Sequence, residues 1–258
     1  MASTTTEAGS ESEAPAAEEE VSLKVFRYVP EEDDEPYFED YDVGAPEGTT
    51  VLDALIRVRD EQDASLTVRH SCRMARCGSD ALYINGKQRL ACNTLVSELK
   101  QPIKVEPLPR FDVIRDLVVD MEGFYDRMDS VEPWFQPSGE PEEGREYLQS
   151  PENRKNIDTV LDCIWCGACT SSCTPAGSDD RFAGPAALAK AYRFYKDERE
   201  GEEARRRRLE LLEDAHGIYR CHTQFNCTEV CPKGISPTEA IMEMSRDAAK
   251  RRLRFWRR

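Results

Sequence analysis

No stretch of this 258-residue sequence approaches the roughly 18 consecutive apolar residues that would span a bilayer. No twin-arginine or Sec-type signal precedes the first patterned segment, so the chain is expected to stay in the cytoplasm and to meet a membrane only through partners. No G-x-G-x-x-G fingerprint occurs, so the sequence offers no dinucleotide site of that kind. Histidine is scarce, with three residues, and positive charge is in deficit: the formal net charge is −15. Residues 31–40 (EEDDEPYFED) hold seven acids, and arginine far outnumbers lysine. Such a surface argues against a nucleic-acid partner and favours solubility through self-repulsion. It fits a cytoplasm at high salt, where that repulsion is screened, and a halophilic source is expected.

Cysteine, by contrast, is abundant. The ten cysteines would allow five disulfides, but the absence of a secretory signal and their tight spacing favour metal. Cys163, Cys166, Cys169 and Cys173 form a C-x2-C-x2-C-x3-C run, an iron–sulfur cluster pattern. The pattern returns at Cys221, Cys227 and Cys231, with Gln224 where a cysteine is missing. In two-cluster ferredoxins the fourth cysteine of each run serves the other cluster. That rule groups Cys163, Cys166, Cys169 and Cys231 around a 4Fe–4S cluster, and Cys173 with Cys221 and Cys227. Three thiolates, with a neutral glutamine at the fourth corner, predict a 3Fe–4S cluster; a 4Fe–4S cluster completed by water or Gln224 is the alternative. Structural zinc is the bland reading, but two interleaved runs of this kind are unusual for zinc.

A third group is Cys72, Cys77 and the more distant Cys92. The plant-type 2Fe–2S pattern, C-x4-C-x2-C, puts Asp80 at its third position. An aspartate is ordinarily a solvated loop acid; its registration within the pattern favours ligation. His222 lies inside the second run and is either bonded to local backbone or a proton-capable group beside the last cluster. His70 and His216 receive no role.

Residues 1–20 lack basic residues and are too polar to order, which predicts a disordered tail. Strands are expected at 21–28, 37–43 and 66–69. A helix is expected over 50–60, capped by Thr49 or Thr50. Asn85-Gly86 predicts a hairpin within 81–92. This mixed α+β unit ends near Pro107–Ile114. Beyond it, 115–128 reads as a linking helix and 132–144 as a Pro/Gly/Glu-rich loop. Helices are expected over 151–162, from Pro185 to about Asp197, and over 202–214 with Arg205–Arg208. Ser236-Pro-Thr-Glu239 reads as a capping box opening a last helix. The basic end Lys250–Arg258, with Phe255 and Trp256, reads as a solvated helix end or, alternatively, a contact with anionic lipid.

Taken together, Ser71–Asp80 (SCRMARCGSD), Leu90-Ala-Cys-Asn93, Cys163–Cys173 (CIWCGACTSSC) and Cys221-His with Cys227-Thr-Glu-Val-Cys-Pro-Lys-Gly234 resemble the iron–sulfur subunit of the succinate dehydrogenase/fumarate reductase family. Pro107–Phe111 and Ala191–Phe194 add to the resemblance, which covers about residues 21–250 and points to the succinate dehydrogenase branch, of halophilic archaeal type. It implies an α+β chain: a β-grasp, plant-type 2Fe–2S ferredoxin-like domain over 21–114, then an all-α bacterial-ferredoxin-like domain over 115–258. It implies a wire of 2Fe–2S, 4Fe–4S and 3Fe–4S clusters carrying electrons from the covalent FAD of a flavoprotein subunit to a membrane quinone, held by membrane-anchor subunits. The catalytic dicarboxylate site would lie on the partner chain. Some members have aspartate at the position of Asp80, and His222 matches a residue near the quinone. The alternatives are a fumarate reductase subunit, the iron–sulfur partner of a thiol-disulfide reductase, or a stand-alone carrier. One departure stands out: Thr174-Pro-Ala-Gly-Ser178 lacks the tryptophans that many quinone-reducing members carry there, and is one residue short.

Overall fold

The computed structural model describes residues 19–256. Most of the tail expected over 1–20 and the side chains of Phe255 and Trp256 lie outside the described residues. Strand β1 (Glu19–Arg27) begins two residues earlier than the sequence predicts. It pairs antiparallel with β2 (Tyr37–Ala45) along its whole length, Glu19 facing Ala45. Backbone pairing extends the strand although Glu20 itself stays exposed. Helix α1 (Val51–Glu61) starts from a capping box: the Thr50 hydroxyl accepts the Asp53 N–H and the Asp53 carboxylate accepts the Thr50 N–H, a cap that contributes about 1 kcal/mol.

β3 (Ala81–Ile84) and β4 (Lys87–Leu90) flank Asn85 and Gly86, whose φ of 46° and 81° make the left-handed turn a two-residue hairpin needs. β5 (Ile103–Glu106) completes a mixed five-stranded sheet, β2-β1-β5-β3-β4, parallel only between β1 and β5. Val21, Leu23 and Val25 alternate inward and pack with Leu52, Leu55 and Val58 of α1 in one apolar core. Each such side chain contributes about 1.5–3 kcal/mol by leaving water.

Two expectations fail near this sheet. Residues 66–69 are not a strand, and residues 115–121 are not helical. β6 (Val113–Arg115) and β7 (Val118–Val119) instead form a small hairpin, and α2 starts only at Glu122 (Glu122–Asp129). The cause of both is Asp116, wholly buried with φ of 44°. Its carboxylate accepts from Arg27 Nε, Tyr28 N and Thr67 N at 3.1, 3.1 and 2.9 Å. This spends the backbone donor of 67 on a side chain and turns the chain sharply at 116. A buried carboxylate held by three donors outweighs the helical pattern around it.

The rest of the chain is helical: α3 (Pro151–Leu161), α4 (Ala168–Ser172), α5 (Gly184–Tyr195), α6 (Glu202–Leu212), α7 (Asn226–Glu229) and α8 (Pro237–Trp256). In α8, Ser236 Oγ accepts the Glu239 N–H at 3.4 Å, one arm of the expected box. α5 is buried nearly throughout, and Ala186, Ala187, Ala189 and Ala191 let neighbours approach closely. Lys196 bridges Glu243 and Asp247 of α8 at 2.6 and 3.0 Å. The loop after α2 is tied by Arg208 of α6, 1 % exposed, which donates to Val131 O, Glu132 O and Trp134 O and pairs with the buried Glu200.

Candidate metal centres

The loop between Cys72 and β3 turns through positive φ at Arg73, Ala75 and Gly78. It thereby aims the N–H groups of Met74, Arg76 and Cys77 at Cys72 Sγ, at 3.4, 3.3 and 3.3 Å, and that of Ala75 at Cys92 Sγ at 3.3 Å. The Met74 and Arg76 donors lead in drawing the Cys72 thiol down to about 7. Asp80 is not a solvated acid: it is 3 % exposed, and its Oδ2 accepts the Cys92 N–H at 2.5 Å. Its side chain also meets the Cys92 thiol, which burial and then this contact push up to about 12. Asp80 therefore faces the same space as Cys92, with Cys72 in electrostatic range. Asp80→Ala is expected to degrade or shift the 2Fe–2S EPR signal, and Asp80→Cys to preserve a cluster. An unchanged spectrum in the alanine variant would exclude Asp80 as a ligand.

The other seven cysteines fall into two cavities. Cys163, Cys166, Cys169 and Cys231 line one, closed by Phe124, Trp165, Ala186, Ala189 and Pro237. Cys173, Cys221 and Cys227 line the other, with Thr174, His222, Gln224 and Thr238. The two runs share one backbone plan. Trp165 and Thr223, each two residues after the first cysteine, have φ of 56° and 55°. Gly167 and Phe225, with φ of 78° and 63°, then open α4 and α7 from left-handed caps. Gln224 so occupies the register of Cys166. The N–H two residues on points back at the sulfur in both runs, from Trp165 to Cys163 and from Thr223 to Cys221.

Burial raises the thiols of Cys163, Cys166, Cys169, Cys173 and Cys227, Cys166 to about 12. Desolvated thiols do not ionise unaided, so loading iron here must release protons. All ten cysteines are free of disulfides. Converging sulfurs, N–H donors aimed at them and apolar walls fit iron–sulfur clusters, in which such donors tune the potential.

The first cysteine loop meets the second group at Gly78. A Cβ there would lie 2.7 Å from Cys166 Cβ and 3.0 Å from Cys166 Cα and Ile164 O. The tightest constraint on this glycine is therefore the neighbouring cysteine of the second group. Beyond α4, Arg110 packs against the short segment after Cys173. Arg110 Nη1 donates to Ser171 O at 2.7 Å, and its side chain fills the space a Cβ on Gly177 would need. His222 is exposed on the wall of the second cavity. His216 binds Asp179 at 2.8 Å just before the second run, and His70 Nδ1 approaches Val68 O at 3.5 Å.

The fold and these cysteine groups define an iron–sulfur electron-transfer protein, a 2Fe–2S ferredoxin-like domain followed by a dicluster domain. Residues 22–126 match the 2Fe–2S iron–sulfur cluster binding domain family, and residues 159–235 the 4Fe–4S dicluster domain family. The mitochondrial succinate dehydrogenase [ubiquinone] iron–sulfur subunit of Candida glabrata is 38 % identical over 232 residues, 88 % of this chain and 91 % of that protein. A chain of the Mycobacterium smegmatis Sdh1 complex superposes with a TM-score of 0.82 at 29 % identity, over 91 % of this chain and 98 % of that one. The chain belongs to the succinate dehydrogenase iron–sulfur subunit family, and its role is electron transfer within that oxidoreductase.

Proposed function

We propose that this chain relays electrons from the covalent FAD of a flavoprotein subunit, through 2Fe–2S, 4Fe–4S and 3Fe–4S clusters in that order, to a membrane quinone. The observation that carries the reading is the row of cysteine groups: the loop of Cys77 touches Cys166 through Gly78, and Cys169 lies in electrostatic range of Cys227. Cys72, Cys77, Asp80 and Cys92 would hold the first cluster. Cys163, Cys166, Cys169 and Cys231 would hold the second, and Cys173, Cys221 and Cys227 the third. When bound, such clusters carry single electrons, which suits a two-electron flavin donor. The backbone donors on Cys72 and Cys92 hold the entry sulfurs, and exposed His222 beside Gln224 supports an exit to quinone at the last cavity.

The sheet order around α1 supports a β-grasp first domain; its core takes in Leu117 and Val119, so the helical domain is read as following from α2 at Glu122 and not from 115. No helix among the described residues is long and apolar enough to cross a membrane, and anchor subunits would hold the chain at the cytoplasmic face. The Candida glabrata relative is named for succinate dehydrogenase, which favours succinate oxidation over fumarate reduction. The test is purification followed by a succinate-to-dye assay. A covalent-flavin protein is expected to co-purify and to reduce the dye; isolation as a lone carrier would reject the reading. In the same complex, Cys163→Ser and Cys221→Ser are each expected to remove a different EPR signal.

The acidic turn after β1, with Glu31, Glu32 and Glu35 all exposed, supports a high-salt cytoplasm. The complex is expected to lose its fold as salt is withdrawn, followed by circular dichroism; indifference to salt would reject a halophilic origin.

A further inference from the structure

Lys190 is 8 % exposed, and among the described residues it makes no ion pair. Lysine is almost never buried without an anion, because a desolvated ammonium costs free energy unless something compensates it. Its Nζ stands 5.1 Å from the centroid of the Trp165 ring, a favourable but partial compensation. Its charged neighbours are Arg193, which repels it, and Cys163. Ala186 and Ala189 of the same helix line the cavity of Cys163, Cys166, Cys169 and Cys231. Position 190, four residues after 186, lies on that flank of α5. Lys190 stands behind the cavity wall and not in it: the residue it covers, Trp165, lies between Cys163 and Cys166 in the chain and walls the cavity, and the lysine in the wall itself, Lys233, is less buried and so better screened by water.

A four-thiolate cluster in this cavity would bring net negative charge to the place where the ammonium lacks a partner. We propose that Lys190 is the counter-charge of the four-iron cluster and holds its reduction potential up. The inference rests on the assignment of Cys163, Cys166, Cys169 and Cys231 as ligands. A fixed positive charge favours the reduced cluster, which is the more negative state, and the effect is large because the site is desolvated. Lys190 would thus be a positioning charge for the middle step of the relay.

The test is a potentiometric titration of the intact complex, followed by EPR, for wild type, Lys190→Met and Lys190→Arg. Methionine keeps a long flexible side chain and removes the charge; arginine keeps the charge. Lys190→Met is expected to lower the four-iron potential by at least the 59 mV that a tenfold change in a one-electron equilibrium represents. The other two potentials should stay in place, and Lys190→Arg should remain near wild type. Loss of the four-iron signal in the methionine variant with its retention in the arginine variant would also support a charge requirement. An unchanged potential in Lys190→Met, or loss of the cluster in both variants, overturns the proposal. Absence of a four-iron signal from the wild-type complex would instead reject the ligand assignment.

Discussion

Gly78→Ala is expected to slow electron delivery from the first cluster to the second by at least ~10-fold, equivalent to ~1.4 kcal/mol in barrier. The new methyl would lie 2.7 Å from Cys166 Cβ, and the other close atoms are backbone, so no flexible side chain can yield. Overpacking of this kind costs about 1–3 kcal/mol. The strain is relieved by opening the junction between the two halves, which separates the groups that must exchange electrons. A φ of 72° adds a conformational cost to any non-glycine residue. Gly86→Ala isolates that second effect: its φ is 81°, and nothing lies within 4 Å of the added Cβ. After mixing with succinate and rapid freezing, both variants should show a reduced two-iron signal. Only Gly78→Ala should delay reduction of the three-iron signal. Equal rates in the two variants would remove the junction from the relay.

Gln224→Cys is expected to convert the three-iron cluster proposed for the last cavity into a four-iron one. The matching φ values at Trp165 and Thr223, and the equivalent caps of α4 and α7, put residue 224 where Cys166 stands in the first run. Gln224 already lines the cavity with Cys173, Cys221 and Cys227. A thiolate at that corner supplies the soft ligand a fourth iron needs, which a neutral amide does not. The oxidised three-iron signal should disappear, a new signal should appear on reduction, and quinone reduction should fall sharply while succinate-to-dye activity persists. Gln224→Ser, with no thiolate, should leave the three-iron signal in place. Persistence of that signal in the cysteine variant would sink the assignment.

Much of the candidate site was legible because the grouping of the cysteines follows their spacing. The interleaved runs already sorted Cys231 with the first run and Cys173 with the second, and the structure gathers those same residues around separate cavities. Periodicity and caps located β1, β2, α1 and the Asn85-Gly86 hairpin, since these depend on near neighbours in the chain. Residues 66–69 and 115–121 were misread because Asp116 binds Arg27, Tyr28 and Thr67 from afar. The residues around Asp116 carried no sign of that network. The Lys190 environment was equally silent: within α5 it is one lysine among alanines, and only packing against Trp165 distinguishes it.

Sequence alone determined which residues bear sulfur, which corner lacks it and which segments form most of the sheet and helices. These follow from residue type and short-range spacing, which ligand chemistry and backbone geometry read directly. Tertiary structure decided how the groups meet: Gly78 against Cys166, Asp80 buried beside Cys92, and Lys190 without an acid partner among the described residues. Each depends on chain segments brought together by packing. Close approach and desolvation act through space, and neither leaves a periodic trace along the chain.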